Sequence, residues 1–389
     1  MTMPAKARDL LPLAIQHRHA LHRIPEIGLD LPETATFVAA ELRTLGLEPR
    51  RFGSGLWVDI GDRGPLIALR ADMDALPIAE ETGLPWASIF PGRMHACGHD
   101  VHAASLLVAA RILAEEKNLP YRVRAIFQPG EEGHFGARAL IEEGALEGVA
   151  AIVAGHVGDL SDEMAPGQAA FLPGPMMAAS DKFKGAFLGP GGHGSAPHRS
   201  PDPVSAFAEF VVALNGFRAR ELDQTKPAVV SLCSVHSGTA FNVIPSSLEF
   251  LGTARSMERP IRDLLERRIG EIGRAIAELR GLRFAYEWLG GYPPLANDPI
   301  ATEVSAAAAR DILGPSRVLG LAAPIMGGED FAYYLEKVPG LFWFFNTQNP
   351  DKGIVHPNHN PRFDVDESLL ADFIAVNLGI VEALAERFG

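Results

Sequence analysis

The chain is written in short apolar runs separated by polar, glycine-rich or proline-rich breaks. LIALRADMD (66–74) is an apolar run that ends in carboxylates, the pattern of a buried strand. AASLLVAARILAE (103–115) repeats its apolar residues at helical spacing and predicts a helix. VRAIFQPGEEG (123–133) predicts a strand, a Pro-Gly break and then acids, and VAAIVAGHVG (149–158) a strand closing on a histidine. This βαβα rhythm predicts an α/β fold with a mixed, mostly parallel sheet sandwiched by helices.

From about Asp181 the rhythm changes. Strands are predicted at 181–189, 228–238, 248–256 and 282–290, and helices at 203–217 and 260–280, with Pro260 suited to a first turn. The order βαββαβ is that of a split-βαβ, ferredoxin-like α+β unit. The α/β pattern then returns with a helix over 300–313, an apolar strand GLFWFFNT (340–347) and a helix after Asp366. Residues 1–180 and 293–389 therefore read as one catalytic domain and 181–292 as a domain inserted into it. PGPMMAAS (173–180) and GGYPPLANDP (290–299) are the expected crossings.

Bulk composition narrows the function. With 389 residues, 47% of them hydrophobic, the chain can fill two cores. A net charge of −13 argues against a nucleic-acid groove, which needs clustered Lys and Arg. No apolar run approaches the ~20 residues of a membrane span, and the N-terminal stretch lacks the apolar core of a leader, so no membrane partner is expected. Cys97 and Cys233 sit far apart in dissimilar contexts, which fits a reduced compartment and predicts a cytoplasmic location.

MHACGHDVHAA (94–104) carries the chemistry. His95, Cys97, His99 and His102 fall close together, with Asp100 among them. Cys97 and His99, two apart in a loop before a helix, are too close to be tetrahedral partners by themselves. They could serve neighbouring metals, or the thiolate could bridge; the plain alternative is a structural cysteine beside a loop histidine. Glu131-Glu132 follows a strand and a turn. An arbitrary Glu-Glu pair is more often a surface pair, but at a strand end one carboxylate can ligate while the other handles a proton. His156 ends an apolar strand, and either His356 or His359 follows the late one. Asp72, Glu131, Glu132 and His156 all fall at the carboxyl ends of predicted strands, the rim where open α/β sheets bind ligands.

These motifs, in order with LHRIPEIGLDLPET (21–34), PGPMMAASDKF (173–183), GGHGSAPH (191–198), GTAFNVIP (238–245), GTARS (252–256), MGGEDFAYYLEKVPG (326–340) and HNPRFD (359–364), resemble the M20 metallopeptidase superfamily. The resemblance is to its amidohydrolase branch, with the hippurate hydrolases and plant auxin-conjugate hydrolases, and it covers nearly the whole chain. It implies a zinc-exopeptidase-like catalytic domain and two divalent ions held by Cys97, His99, Glu132, His156 and His359. The ions would be zinc, manganese, cobalt or nickel. It implies Glu131 as general base and Asp72 as a carboxylate behind the ligands that orients one of them. It further implies a homodimer formed through the inserted domain, with His193 and Asn242 reaching the oxyanion in a neighbouring active site. Read without the resemblance, those two are turn and cap residues as readily. Arg255, at a strand end, is a candidate grip for a substrate carboxylate, or a surface arginine.

Val101, His134 and Gly158 depart from the family pattern and bear on the pocket. The expectation is a metal-dependent amidohydrolase acting on N-acyl amino acids or related small conjugates. A dipeptidase or exopeptidase on the same scaffold and a non-catalytic binding protein are the rivals. LFWFF reads as core; His17, His19 and His22, on or near the first helix, read as solvent-facing or locally packed.

Overall fold

Central strands that are buried at every position need cover on both faces, and that requirement organises the larger part of this protein. The computed structural model describes residues 2–389; Met1, the first residue of the expected catalytic segment, lies outside the described residues. The chain divides into two units. One contains the residues up to Met176 together with Ala296–Ile325 and Asp330–Gly389; the other contains Met177–Leu295 and Met326–Glu329. The sequence-based boundaries fell after residues 180 and 292, and nothing in the local pattern pointed to the short Met326–Glu329 segment.

The larger unit is built on an eight-stranded mixed sheet. Its strands lie in the order Arg50–Phe52, Gly55–Ile60, Arg122–Gln128, Leu66–Asp72, Val149–Val157, Gly340–Phe345, Ala169–Phe171, Val318–Gly320. Leu66–Asp72 pairs in parallel with both neighbours, and Val149–Val157 pairs in parallel with Gly340–Phe345. All seven residues of Leu66–Asp72 and all six of Gly340–Phe345 are buried, as two-sided helix cover demands. From Leu66–Asp72 the chain crosses to one neighbour and then returns to the other. A crevice therefore opens outside the carboxyl ends of these strands, the switch point of an open sheet.

The helix His99–Ala114 starts four residues before the predicted onset, so His99 is its first residue rather than part of a preceding loop. Gly98 makes this possible: its φ of 85° turns the chain between Cys97 and His99, and a Cβ there would lie 2.6 Å from Val157 Cγ2. Val101, one of the departures from the family pattern, is wholly buried in the core. The expectation that no segment is long and apolar enough to span a bilayer is corrected by Glu367–Phe388. This segment passes by length and composition, with a mean hydropathy of 1.7. Much of it is core: Phe373 packs on Trp343 and Phe345, and Asn377 accepts from Trp343 Nε1 at 3.1 Å.

The second unit carries a four-stranded antiparallel sheet ordered Ala228–Ser237, Ser247–Ser256, Ala179–Leu188, Arg283–Tyr292. Its helices are Pro203–Arg220, capped by Asp202, and Arg259–Leu279. Phe183, Phe187, Phe210 and Phe250 are buried at its centre. Bidentate pairing of Arg262 with Asp181 ties the long helix to the first strand.

Candidate metal centre

Three adjacent strands end in the chemistry. Asp72 is the last residue of Leu66–Asp72, Glu131 and Glu132 follow Arg122–Gln128 through Pro129-Gly130, and His156 is the penultimate residue of Val149–Val157. His99 begins the helix after the first of these strands, and His359 lies in the loop beyond Gly340–Phe345. Residues up to 287 positions apart thus arrive at one rim; nothing local in sequence brings them there.

Two donor groups share the Cys97 sulfur. One is Cys97, His99 and His156; the other is Cys97, Glu132 and His359, and within each group the ligand atoms lie within 4.8 Å of one another. His99, Glu131 and Glu132 form a third such group. Cys97 Sγ is 3.5 Å from His156 Nε2, and His359 Nε2 is 3.2 Å from Glu132 Oε1. His359 adopts a φ of 68°, an uncommon conformation for a residue with a side chain. Its backbone N–H donates to Ala96 O at 2.7 Å, which fixes the loop against the Cys97 segment.

The supporting bonds select ring nitrogens. His99 Nδ1 lies 2.8 Å from Asp74 O, and His156 Nδ1 lies 2.8 Å from Val157 O. A carbonyl can only accept, so each Nδ1 carries the proton and each Nε2 keeps its lone pair for a cation. His99 Nε2 is buried with no hydrogen-bond partner among the described residues, an expensive arrangement unless something binds it. One thiol, three imidazoles and a carboxylate suit zinc-like divalent ions. The residues fit the metals that the resemblance implies.

Electrostatics agree. Burial disfavours charge on His99, but Asp72 and Cys97 outweigh it and raise the imidazole well above its ordinary value. Burial, helped by Glu132, pushes the Cys97 thiol up. Burial opposes the Glu132 charge, yet His359 and His99 hold its carboxyl below the usual range. The cluster attracts positive charge, and a divalent ion supplies more of it than a proton does.

Asp74 is a residue that sequence reading missed. Its two oxygens accept from the backbone N–H groups of Glu131 at 2.9 Å and Glu132 at 3.0 Å, so it sets the turn that aims both glutamates. The spacing Asp72-x-Asp74 at a strand end was the available signal. Asp72 accepts from Arg70 at 2.7 Å and pairs with His102 at 2.6 Å, but stands 3.7 Å from His99 Nε2. Its direct bonds therefore go to His102 and Arg70 rather than to an expected ligand. Glu131 is buried, and Asp330 N–H reaches its Oε1 at 3.4 Å.

His193, Asn242 and Arg255 belong to the second unit. His193 and Asn242 sit together on an exposed two-stranded ribbon: Val243 pairs with His193, and Gly194 N–H donates to Asn242 O at 2.8 Å. Arg255 donates to Thr253 Oγ1 at 2.6 Å in the main sheet. His134 and His356 belong to no donor cluster among the described residues. Gly158 has a clear local role. A Cβ there would lie 2.0 Å from Asn358 Oδ1, and the Asn358 amide donates to Cys97 O and Val157 O at 3.2 Å each.

Comparison with known proteins follows this geometry. Residues 68–383 match the model for peptidase family M20/M25/M40. The chain is 37% identical to an N-acetyl-L-cysteine deacetylase of Bacillus subtilis over 91% of this chain and 83% of the relative. It is 37% identical to thermostable carboxypeptidase 1 of Saccharolobus solfataricus, over 93% of each chain. Among solved structures, the Bacillus subtilis YXEP protein, described as a dinuclear metal-binding peptidase of the M20 family, superposes with a TM-score of 0.82. That pair is 32% identical over 96% of this chain and 98% of that one. The chain belongs to peptidase family M20/M25/M40 and is an amide-cleaving enzyme.

Proposed function

We propose that the protein is a dinuclear, metal-dependent amidohydrolase that removes the acyl group from N-acyl amino acids or related small conjugates. The observation that carries this reading is the Cys97 sulfur shared between two donor groups, with Glu131 beside them. Cys97, His99, Glu132, His156 and His359 would hold two divalent ions of the zinc, manganese, cobalt or nickel type. When bound, such ions acidify a water and polarise the scissile carbonyl.

The chain's own residues supply the proton transfers. Glu131, aimed by Asp74 and by the turn at Gly130, takes the proton of the attacking water on its carboxylate. It then returns that proton to the leaving nitrogen as the amide bond breaks. Glu132, one position on, serves as a ligand; the two backbone N–H groups held by one Asp74 carboxylate keep the roles apart. His193 and Asn242 donate to the developing oxyanion, Arg255 grips a substrate carboxylate, and two copies pair through the second unit. Free Cys97 and Cys233 support a reduced, cytoplasmic setting.

Glu131→Gln should retain both metals and lose roughly 10²–10⁴-fold in turnover. Turnover close to wild type would refute the assignment. The carboxypeptidase relative favours a second reading, exopeptidase action on the same site. A panel of N-acetyl and N-benzoyl amino acids run against dipeptides separates them. Sedimentation of the purified protein decides the dimer.

A further inference from the structure

A further cluster, Asp72, His99 and His102, has metal-like composition and burial. His102, however, has no nitrogen to give. Its Nε2 lies 2.9 Å from the backbone nitrogen of Val157, and a peptide N–H can only donate, so Nε2 accepts. Its Nδ1 lies 2.6 Å from Asp72 Oδ1. An imidazole that accepts at Nε2 is neutral and holds its one proton at Nδ1, which it donates to the carboxylate.

We infer that His102 is a positioning residue: a neutral Nδ1–H imidazole that braces the metal-bearing segments against one another without itself touching a metal. It links three elements. The helix carrying it begins at His99, one turn away, and the two rings stack at 5.6 Å. The Asp72 carboxylate it bonds ends the central strand and is held on its other oxygen by Arg70. The Val157 N–H it accepts from directly follows His156, and the carbonyl of the same residue, Val157, fixes His156 Nδ1. The His102 ring also meets the His156 ring edge-on at 4.6 Å.

This inference rests on the metal-centre reading for its consequence but not for its geometry, and two measurements separate the two. The first is the ¹⁵N pattern of the His102 ring in the full chain before and after zinc addition. It should show a protonated Nδ1 and an unprotonated Nε2, with neither shifting on loading. A proton at Nε2, or an Nε2 signal displaced by zinc, would overturn the proposal. The second compares single-bond variants. His102→Asn keeps an amide donor near Asp72 and loses the acceptor for Val157; His102→Gln carries an oxygen toward Val157 and loses the donor. Both should bind as many zinc ions per chain as wild type, with affinity weaker by roughly 10–100-fold. His102→Phe, which fills the space without either bond, should be weaker than both. Loss of one ion per chain in these variants would make His102 a ligand. Affinity like wild type in all three would reduce it to packing. If wild-type protein bound no metal, the metal-centre reading would fall, while the ring-proton measurement would still decide the tautomer.

Discussion

Arg18 offers the sharpest test of how the centre is held. Its side chain is 1% exposed and meets three carboxylates: Asp100 at 3.2 Å, Asp364 at 2.6 Å and Glu367 at 2.7 Å. Asp100 directly follows His99, and Asp364 lies five residues after His359, so one guanidinium joins the segments of two proposed ligands. Arg18→Met keeps much of the aliphatic stem and removes the fork. Asp364 and Glu367 have side chains 20% exposed and can be rehydrated, so each loss is worth about 1 kcal/mol or less. Asp100 is 1% exposed and, among the described residues, keeps only His22, at 2.8 Å, so most of the cost falls there. Breaking a buried pair by removing one partner costs about 3–5 kcal/mol, and that is the expected loss here. Urea unfolding in a Trp288→Phe background reads the larger unit, which carries Trp57, Trp86 and Trp343. Arg18→Lys keeps the charge but cannot span three carboxylates and should fall between the two. A loss below about 1 kcal/mol for Arg18→Met would refute the reasoning.

Further outcomes follow from the same geometry. His22 is buried; burial opposes its charge, but Asp100 and Glu80 outweigh it and push the imidazole up to about 9. A raised folded-state value means that its stabilisation is full below the ordinary value near 6.5 and is lost as pH rises through 9, on the order of 3 kcal/mol. Stability curves from pH 6 to pH 9.5 should show this fall in wild type and a flatter profile in His22→Gln; equal slopes would exclude the pair as its source. Gly158→Ala forces a Cβ onto Asn358 at a φ of 123°. It should displace the amide from Cys97 O and weaken zinc binding roughly tenfold by competition with a chromogenic chelator, whereas unchanged affinity would leave Asn358 without a positioning role. Gly155→Ala places a Cβ 2.6 Å from the Trp343 ring and should cost about 1–3 kcal/mol in the same urea assay.

What was legible in the sequence was whatever local pattern encodes. Apolar runs that stop abruptly at Asp72, Glu131 and His156 mark strands whose carboxyl ends form a rim, and the sheet has them there. Cys97 and His99 were flagged by type and spacing, but the helix onset was read late because a left-handed Gly98 has no signature in apolar periodicity. His102 stood in the same motif without a role, since its function depends on Val157, 55 residues away. Arg18 was passed over and His22 was read as solvent-facing or locally packed; their partners lie 58 to 349 residues distant, and charge pairing at that range leaves no periodic trace. The last helix was placed after Asp366 without being recognised as a bilayer-length segment, and much of it is core.

The central claim is that Cys97 sits between two cations. The direct measurement is anomalous diffraction at a metal absorption edge from crystals of zinc-loaded protein, combined with metal content per chain. Two peaks, both within bonding distance of the Cys97 sulfur and divided among His99, Glu132, His156 and His359, are predicted. A single peak, or two peaks away from Cys97, would contradict the account.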